Sequence, residues 1–200
     1  MMAMTKRSIK GWLAGAVLAC AFIQGAPATT TVSGVAFDDT VQLAGKNLLL
    51  NGAGLRTKFV FKVYAAGLYL PEKKNNVADI AKLEGPRRVS LVMMRDLTAD
   101  EFSHAFMTGL DNNIDRTEKA KFAPQIGKFG DMFRQISSLK KGDVLYLDWI
   151  PGSGTQCELN GKKLGEVVPD VNYYNAVLRI WLGDKPVDSA LKAQLLGEAR

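Results

Sequence analysis

The sequence is poor in the residues that metal chemistry and covalent cross-linking require. It holds one histidine, His104, and two cysteines, Cys20 and Cys157. It has no cysteine pair at metal-ligand spacing, no His-Glu-x-x-His, no Gly-x-Ser-x-Gly and no phosphate-binding loop ending in Gly-Lys-Ser/Thr, so neither a metal hydrolase nor a phosphate-loop enzyme is expected. No metal and no cofactor is implied. Gly52-Ala53-Gly54 lacks the third glycine and the following helix of a dinucleotide site, and reads as a tight turn into the next strand. Asp148 and Glu158 are carboxylates that no pattern brings together, so a glycosidase pair is unsupported. His104 shares a helix face with Asp100, Thr108 and Asp111, a polar stripe that places it towards solvent. Internal repeats and low-complexity linkers are also lacking, which leaves one domain.

Long apolar runs are missing as well. The longest uncharged apolar stretch, Gly11 to Ile23, is roughly 13 residues, whereas a membrane-spanning helix needs about 20. It follows Lys6, Arg7 and Lys10 and precedes Ala26-Pro27-Ala28, which together form the basic, apolar and small-residue zones of an export signal cut after Ala28. Val17-Leu18-Ala19-Cys20 offers an alternative, lipidation and anchoring at Cys20. Cleavage after Ala28 leaves residues 29–200, enough for one domain with a real core. The chain's 26 basic and 20 acidic residues give +6, and loss of the three basic residues of the signal leaves +3. The remaining basic pairs, Lys73-Lys74, Arg87-Arg88, Lys140-Lys141 and Lys162-Lys163, are scattered, with no basic and aromatic stripe, so nucleic acid is not an expected partner. After cleavage only Cys157 remains, and a lone free thiol reads as a small core residue. Nothing in the pattern bears on oligomeric state.

What is present is a succession of strands and helices. Residues 32–37, 41–43, 48–50, 59–70 and 89–94 read as strands, rich in Val, Phe and Tyr. Thr98-Ala99-Asp100-Glu101 forms a capping box, and Phe102, Ala105, Phe106, Gly109, Leu110 and Asn113 line one stripe of the helix after it. A second helix begins near Pro124, with Ile126, Phe129, Phe133 and Ile136 at helical spacing. Strands return at 144–150, then at 155–159 and 162–164, joined by Asn160-Gly161 as a hairpin. A helix after Asp170 carries Tyr174, Val177, Leu178 and Trp181 and stops at Gly183; a short one follows from Ser189. The order predicts an α+β domain, an antiparallel sheet with helices packed mainly on one face.

The stretch from Asn51 to Leu70 has a further pattern. Counted in twos, Arg56, Lys58, Val60, Lys62, Tyr64, Ala66, Leu68 and Leu70 share a parity, which a turn between Arg56 and Phe59 would shift. Charged residues followed by small and apolar ones suit a cleft with a cationic mouth.

The run Gly52 to Leu70, the passage Met93 to Asn113 and the closing Ala176 to Val187 together resemble the chalcone isomerase fold, in particular its bacterial chalcone isomerase-like branch. The resemblance implies an open-faced β-sandwich with a ligand cleft between sheet and helices. In the plant enzymes that cleft closes a chalcone to a flavanone; in related plant proteins it holds a fatty acid whose carboxylate meets an arginine and a tyrosine. Arg56 matches that arginine, whose fixed, always charged donors suit an oxyanion. Tyr64 stands where the enzymes carry a threonine, Phe102 at the catalytic tyrosine, Gly109 at an asparagine and Ile180 at a hydroxyl residue. Each lost donor of the oxyanion-hole kind costs about 3 kcal/mol of transition-state stabilisation, so chalcone cyclisation is not expected.

The first expectation is therefore an exported protein that binds a small apolar ligand with an anionic or carbonyl head. Arg56 and Tyr64 would meet the head, and Phe102, Phe106 and Ile180 would form apolar wall. The alternatives are an intramolecular lyase acting on another enone, with no catalytic residue assigned, and a non-catalytic module with a protein partner.

Overall fold

The computed structural model describes residues 28–198; the export signal and the Cys20 alternative lie outside them. Eleven strands and six helices follow one another in this part of the chain. Seven strands make one antiparallel sheet, in the order β11 (Lys162–Val168), β10 (Gly154–Leu159), β9 (Val144–Ile150), β6 (Arg87–Met93), β5 (Phe61–Leu70), β4 (Lys46–Lys58) and β3 (Thr40–Leu43). Two further strands, β1 (Thr29–Val32) and β2 (Val35–Asp38), form a separate hairpin, and β7 (Leu97–Thr98) pairs with β8 (Ser138–Leu139).

Alternation decides which side of the sheet each side chain serves. On β5, Tyr64, Ala66, Leu68 and Leu70 join the large core with Leu91 of β6, Leu147 of β9 and Cys157 of β10. The intervening Ala65 and Tyr69 join a smaller core with Phe37, Leu48 and Leu50. Helices cover the first face: α2 (Ala99–Asp111), α4 (Ala123–Phe133) and α5 (Val171–Leu182). The β1–β2 hairpin covers part of the second, with the Phe37 ring set over Gly67. Among the described residues, the two cores draw on the span 32–196.

The helices begin and pack as their sequences predict. Thr98 and Glu101 form a complete capping box at α2, which buries Phe102, Phe106, Gly109 and Leu110. On α4, with proline in its first turn, Phe129, Met132 and Phe133 are buried. All four residues read on the stripe of α5, Tyr174, Val177, Leu178 and Trp181, are buried. Two short helices, α1 (Val77–Lys82) and α3 (Arg116–Lys121), were not apparent in the apolar periodicity, because together they bury one residue, Ile80. The Asn160-Gly161 hairpin is present with both residues at positive φ, 50° and 80°. Cys157 is buried as a free thiol, and burial pushes its pKa well above the ordinary value.

Three readings need correction. The strand expected over 59–70 begins at Phe61, because Phe59-Val60 make the turn between β4 and β5. The single strand over 32–37 is broken at Ser33-Gly34, both at positive φ, into the β1–β2 hairpin. Gly52-Ala53-Gly54 is not a turn: β4 runs unbroken from Lys46 to Lys58, and the reversal comes at Phe59-Val60. The glycines serve another purpose. Because β3 pairs only with residues 46–49 of β4, the outer edge of β4 beyond them is covered by α6 (Ser189–Leu195). The Leu55 N–H donates to Gln194 Oε1 at 3.1 Å, the Thr57 N–H to Asp188 Oδ2 at 3.1 Å, and the Asn51 amide to the Leu195 carbonyl at 2.7 Å. A Cβ on Gly52 would collide with the backbone carbonyls of Gln194 and Leu195.

Gly52→Ala should therefore force α6 away from β4 and lower stability by about 2 kcal/mol, read as a lower urea midpoint. Gly45→Ala, at a turn where a Cβ would have nothing within 4 Å but φ is +74°, should cost only the backbone strain, about 1 kcal/mol.

Candidate ligand-binding cleft

The apolar end of β5 and the charged end of β4 meet where α2 crosses the sheet. Arg56 and Tyr64 are direct cross-strand partners. Direct partners share a face of the sheet, and the shift in pairing between Leu50 and Gly52 is what moves Arg56 to the helical side, away from the face that Leu48 and Leu50 serve. The Arg56 guanidinium lies 5.3 Å from the centre of the Tyr64 ring, close enough for a cation–π contact. Its Nε is shielded from solvent and has no hydrogen-bond partner among the described residues.

Tyr64 is only 2 % exposed, and its hydroxyl oxygen accepts a hydrogen bond of 2.8 Å from Trp181 Nε1 on α5. Burial pushes the Tyr64 phenol above its ordinary pKa, with the nearby Arg56 charge and the Trp181 N–H pulling the other way. The phenol therefore keeps its proton at neutral pH and is a donor, not a base.

Beside this pair a cleft of about 380 Å³ opens between sheet and α2. Its apolar wall is Val63, Leu97, Phe102, Ala105, Gly109 and Val187, and its polar rim comes from Arg56, Lys58, Arg95, Glu101, His104 and Lys185. Gly109 matters to its shape: a Cβ there would press on Ile180 at 2.9 Å and Val187 at 3.2 Å, so glycine lets α2 lie close over α5. Asn113, one turn on, donates from its amide to the carbonyls of Gly109 and Lys185 and accepts from the Lys185 N–H, which fixes the Lys185-Pro186-Val187 segment against the cleft.

Of the residues expected at the site, Arg56 and Phe102 line the cleft. Tyr64 stands behind Arg56 at the core. Phe106 and Ile180 lie one layer deeper: Phe106 stacks on Phe129 at 5.5 Å and meets Phe133 edge-on at 5.3 Å, and Ile180 backs Gly109. They brace the wall rather than form its surface. His104 is exposed at the rim, as its polar stripe predicted. Sequence reasoning missed Arg95 and Lys185, which reach the rim from a loop after β6 and from the loop before α6. It also missed Trp181 as the partner of Tyr64, since its place on the buried stripe of α5 explained it fully.

Other candidate chemistry is spoken for. Asp148 takes two hydrogen bonds of 2.7 Å from Arg88 on the sheet face away from the helices. Among the described residues no three His, Cys, Asp or Glu side chains cluster as a metal site, and no helix is long and apolar enough to cross a membrane. A wider hollow of about 650 Å³ near α1 is lined chiefly by charged side chains, Glu72, Lys74, Asp79, Lys82 and Glu84, with only Pro71 and Leu83 as apolar lining.

Comparison with known proteins places this geometry. A chalcone isomerase-like family profile matches residues 29–197, nearly the whole described domain. The chain belongs to the chalcone isomerase-like family. No curated protein matches it by sequence. Among solved structures it resembles a fatty-acid binding protein of Arabidopsis thaliana, with a TM-score of 0.65 at 17% identity, over 82% of this chain and 92% of that one. At that identity the likeness establishes the fold, which is that of the family.

The Tyr64–Trp181 bond ties the cleft to the core. Tyr64→Phe should leave the Trp181 N–H buried without an acceptor and cost about 1–2 kcal/mol in chemical denaturation. Combined with Trp181→Phe, the loss should fall short of the sum of the two single losses, since each removes the same bond.

Proposed function

We propose that this protein, working outside the cytoplasm after removal of residues 1–28, binds a small amphipathic molecule in the sheet–helix cleft, with an anionic or carbonyl head at Arg56 and a fatty-acid-like apolar body along Phe102. The observation that carries the reading is the Arg56 guanidinium, set on an apolar-walled cleft with a buried Nε that no group among the described residues satisfies. A buried donor of this kind costs free energy unless a ligand or water meets it, and a carboxylate is its best partner. The cleft volume lies within the usual range for small-molecule sites, and the kinship in fold to a fatty-acid binding protein fits the same class of ligand.

Tyr64 supports the head indirectly, through the cation–π contact that places the Arg56 guanidinium. Phe102 contributes surface, while Phe106 and Ile180 keep that surface rigid. The wall offers an aromatic ring without a hydroxyl at Phe102 and no side chain at all at Gly109, so the groups that would orient water and polarise a ketone are lacking where the family's enzymes have them. Binding without chalcone cyclisation follows from that.

Native mass spectrometry of the protein purified from its own host tests the reading, through extraction of any co-purifying acid and titration with a fluorescent fatty-acid analogue. Arg56→Ala should weaken binding at least about tenfold, the worth of a charge-assisted hydrogen bond, and Arg56→Lys should restore part of it. Unchanged binding in Arg56→Ala would remove the proposed role of the arginine. Turnover of an enone panel above the buffer rate would replace the carrier reading with an intramolecular lyase.

A further inference from the structure

The tip of the β4–β5 hairpin is exposed and apolar in a way that folding does not account for. Four large hydrophobic side chains are exposed among the described residues, and three are consecutive here: Phe59 at 90%, Val60 at 87% and Phe61 at 57%. The turn itself is Phe59-Val60, with Phe59 at φ 55°, a left-handed conformation that asparagine or glycine adopts at far less cost than a bulky aromatic residue. The chain uses that cheaper solution at Asn160-Gly161. At Phe59 it accepts both backbone strain and an exposed ring.

Cations surround the tip. Lys58 and Lys62 flank it in sequence, and the Arg95 guanidinium sits 5.6 Å from the centre of the Phe61 ring. Neither these three nor Arg56 has an ion-pair partner among the described residues. The acids near them are engaged elsewhere. Glu101 caps α2 through Thr98, Asp188 accepts from Thr57 and from the Leu191 N–H, and Asp96 is held by Lys140 and the Lys141 N–H. An apolar wedge with a collar of free cations matches a bilayer surface, where rings enter the acyl boundary and ammonium and guanidinium groups meet phosphates. Three residues are too few for a stable protein interface.

We propose that this hairpin tip docks the protein on a membrane surface bearing anionic lipids, with Phe59 and Val60 inserted and Lys58, Lys62 and Arg95 at the headgroups. Lys58 and Arg95 also line the mouth of the cleft, so docking turns that mouth towards the bilayer. The proposal rests on the hairpin alone and stands whether or not the cleft takes an acid.

The test is flotation of the chain starting at Thr29 with vesicles of phosphatidylcholine alone, or of phosphatidylcholine with phosphatidylglycerol. The protein should float with the phosphatidylglycerol vesicles, less as salt rises, and hardly at all with pure phosphatidylcholine. Phe59→Asn with Val60→Ser should lower partitioning at least about tenfold while leaving Tm unchanged or higher, because asparagine suits the turn. Lys58→Gln and Lys62→Gln should each lower it about fivefold on the anionic vesicles. Absence of binding to phosphatidylglycerol vesicles, or equal binding by the tip variant, would overturn the proposal. So would a dimer in sedimentation equilibrium that the tip variant dissolves, which would assign the tip to a second copy of the chain.

Discussion

The outer edge of β4 is the constraint on which much of this molecule depends. β3 is too short to pair with the whole of that strand, and the backbone donors beyond it must find other partners or remain exposed as an open sheet edge. The last helix and its cap supply them through Gln194, which accepts from the Leu55 N–H, and Asp188, which accepts from the Thr57 N–H, while the Leu195 carbonyl accepts from the Asn51 side-chain amide. That solution demands that nothing project from β4 under α6, and Gly52 and Gly54 meet the demand. β4 stays paired with β5 out to Lys58, so the hairpin reaches past the rest of the sheet and carries Arg56 to the cleft.

Arg56 is then held between two environments. Its guanidinium lies 5.3 Å from the centre of the Tyr64 ring, whose hydroxyl is bonded to Trp181 inside the helical layer, and it also lines the space under α2. This short series of contacts joins a charged group at the cleft to the aromatic cluster of Phe106, Phe129 and Phe133 that packs against α5. A donor so fixed is well arranged to receive a head group without reorganisation, which is the physical case for binding. The wall beside it is apolar, and Phe102 and Gly109 offer no side-chain donor to a reacting carbonyl.

Much of the fold was legible because local and tertiary signals agreed. Asn160-Gly161 made a hairpin, Thr98 and Glu101 made a capping box, and Tyr174 to Trp181 made a buried stripe. Alternation along β5 put Tyr64, Ala66, Leu68 and Leu70 on one face. Where the reading failed, a residue's local preference was overruled from far along the chain. Gly52-Ala53-Gly54 has the composition of a turn, yet lies within a strand because α6, some 140 positions later, packs on it. Phe59-Val60 has the composition of a strand, yet forms the turn.

At the site the division is similar. The motif around Arg56 marked the family and the charged residue, and Phe102 followed from the helix stripe. Arg95, Lys185 and Trp181 carried no signal, since each comes from a segment distant in sequence whose own pattern was already satisfied. By itself, then, the sequence determined most of the longer elements, their apolar faces and the family, because those follow from periodicity, caps and a contiguous motif. Only the tertiary structure decided that Tyr64 is bonded to Trp181 behind Arg56, that Phe106 and Ile180 lie a layer beneath the cleft, and that three apolar residues stand in solvent. Those outcomes turn on the path of α6 and the closeness of α2 to α5, which are set by packing between segments that no local pattern connects.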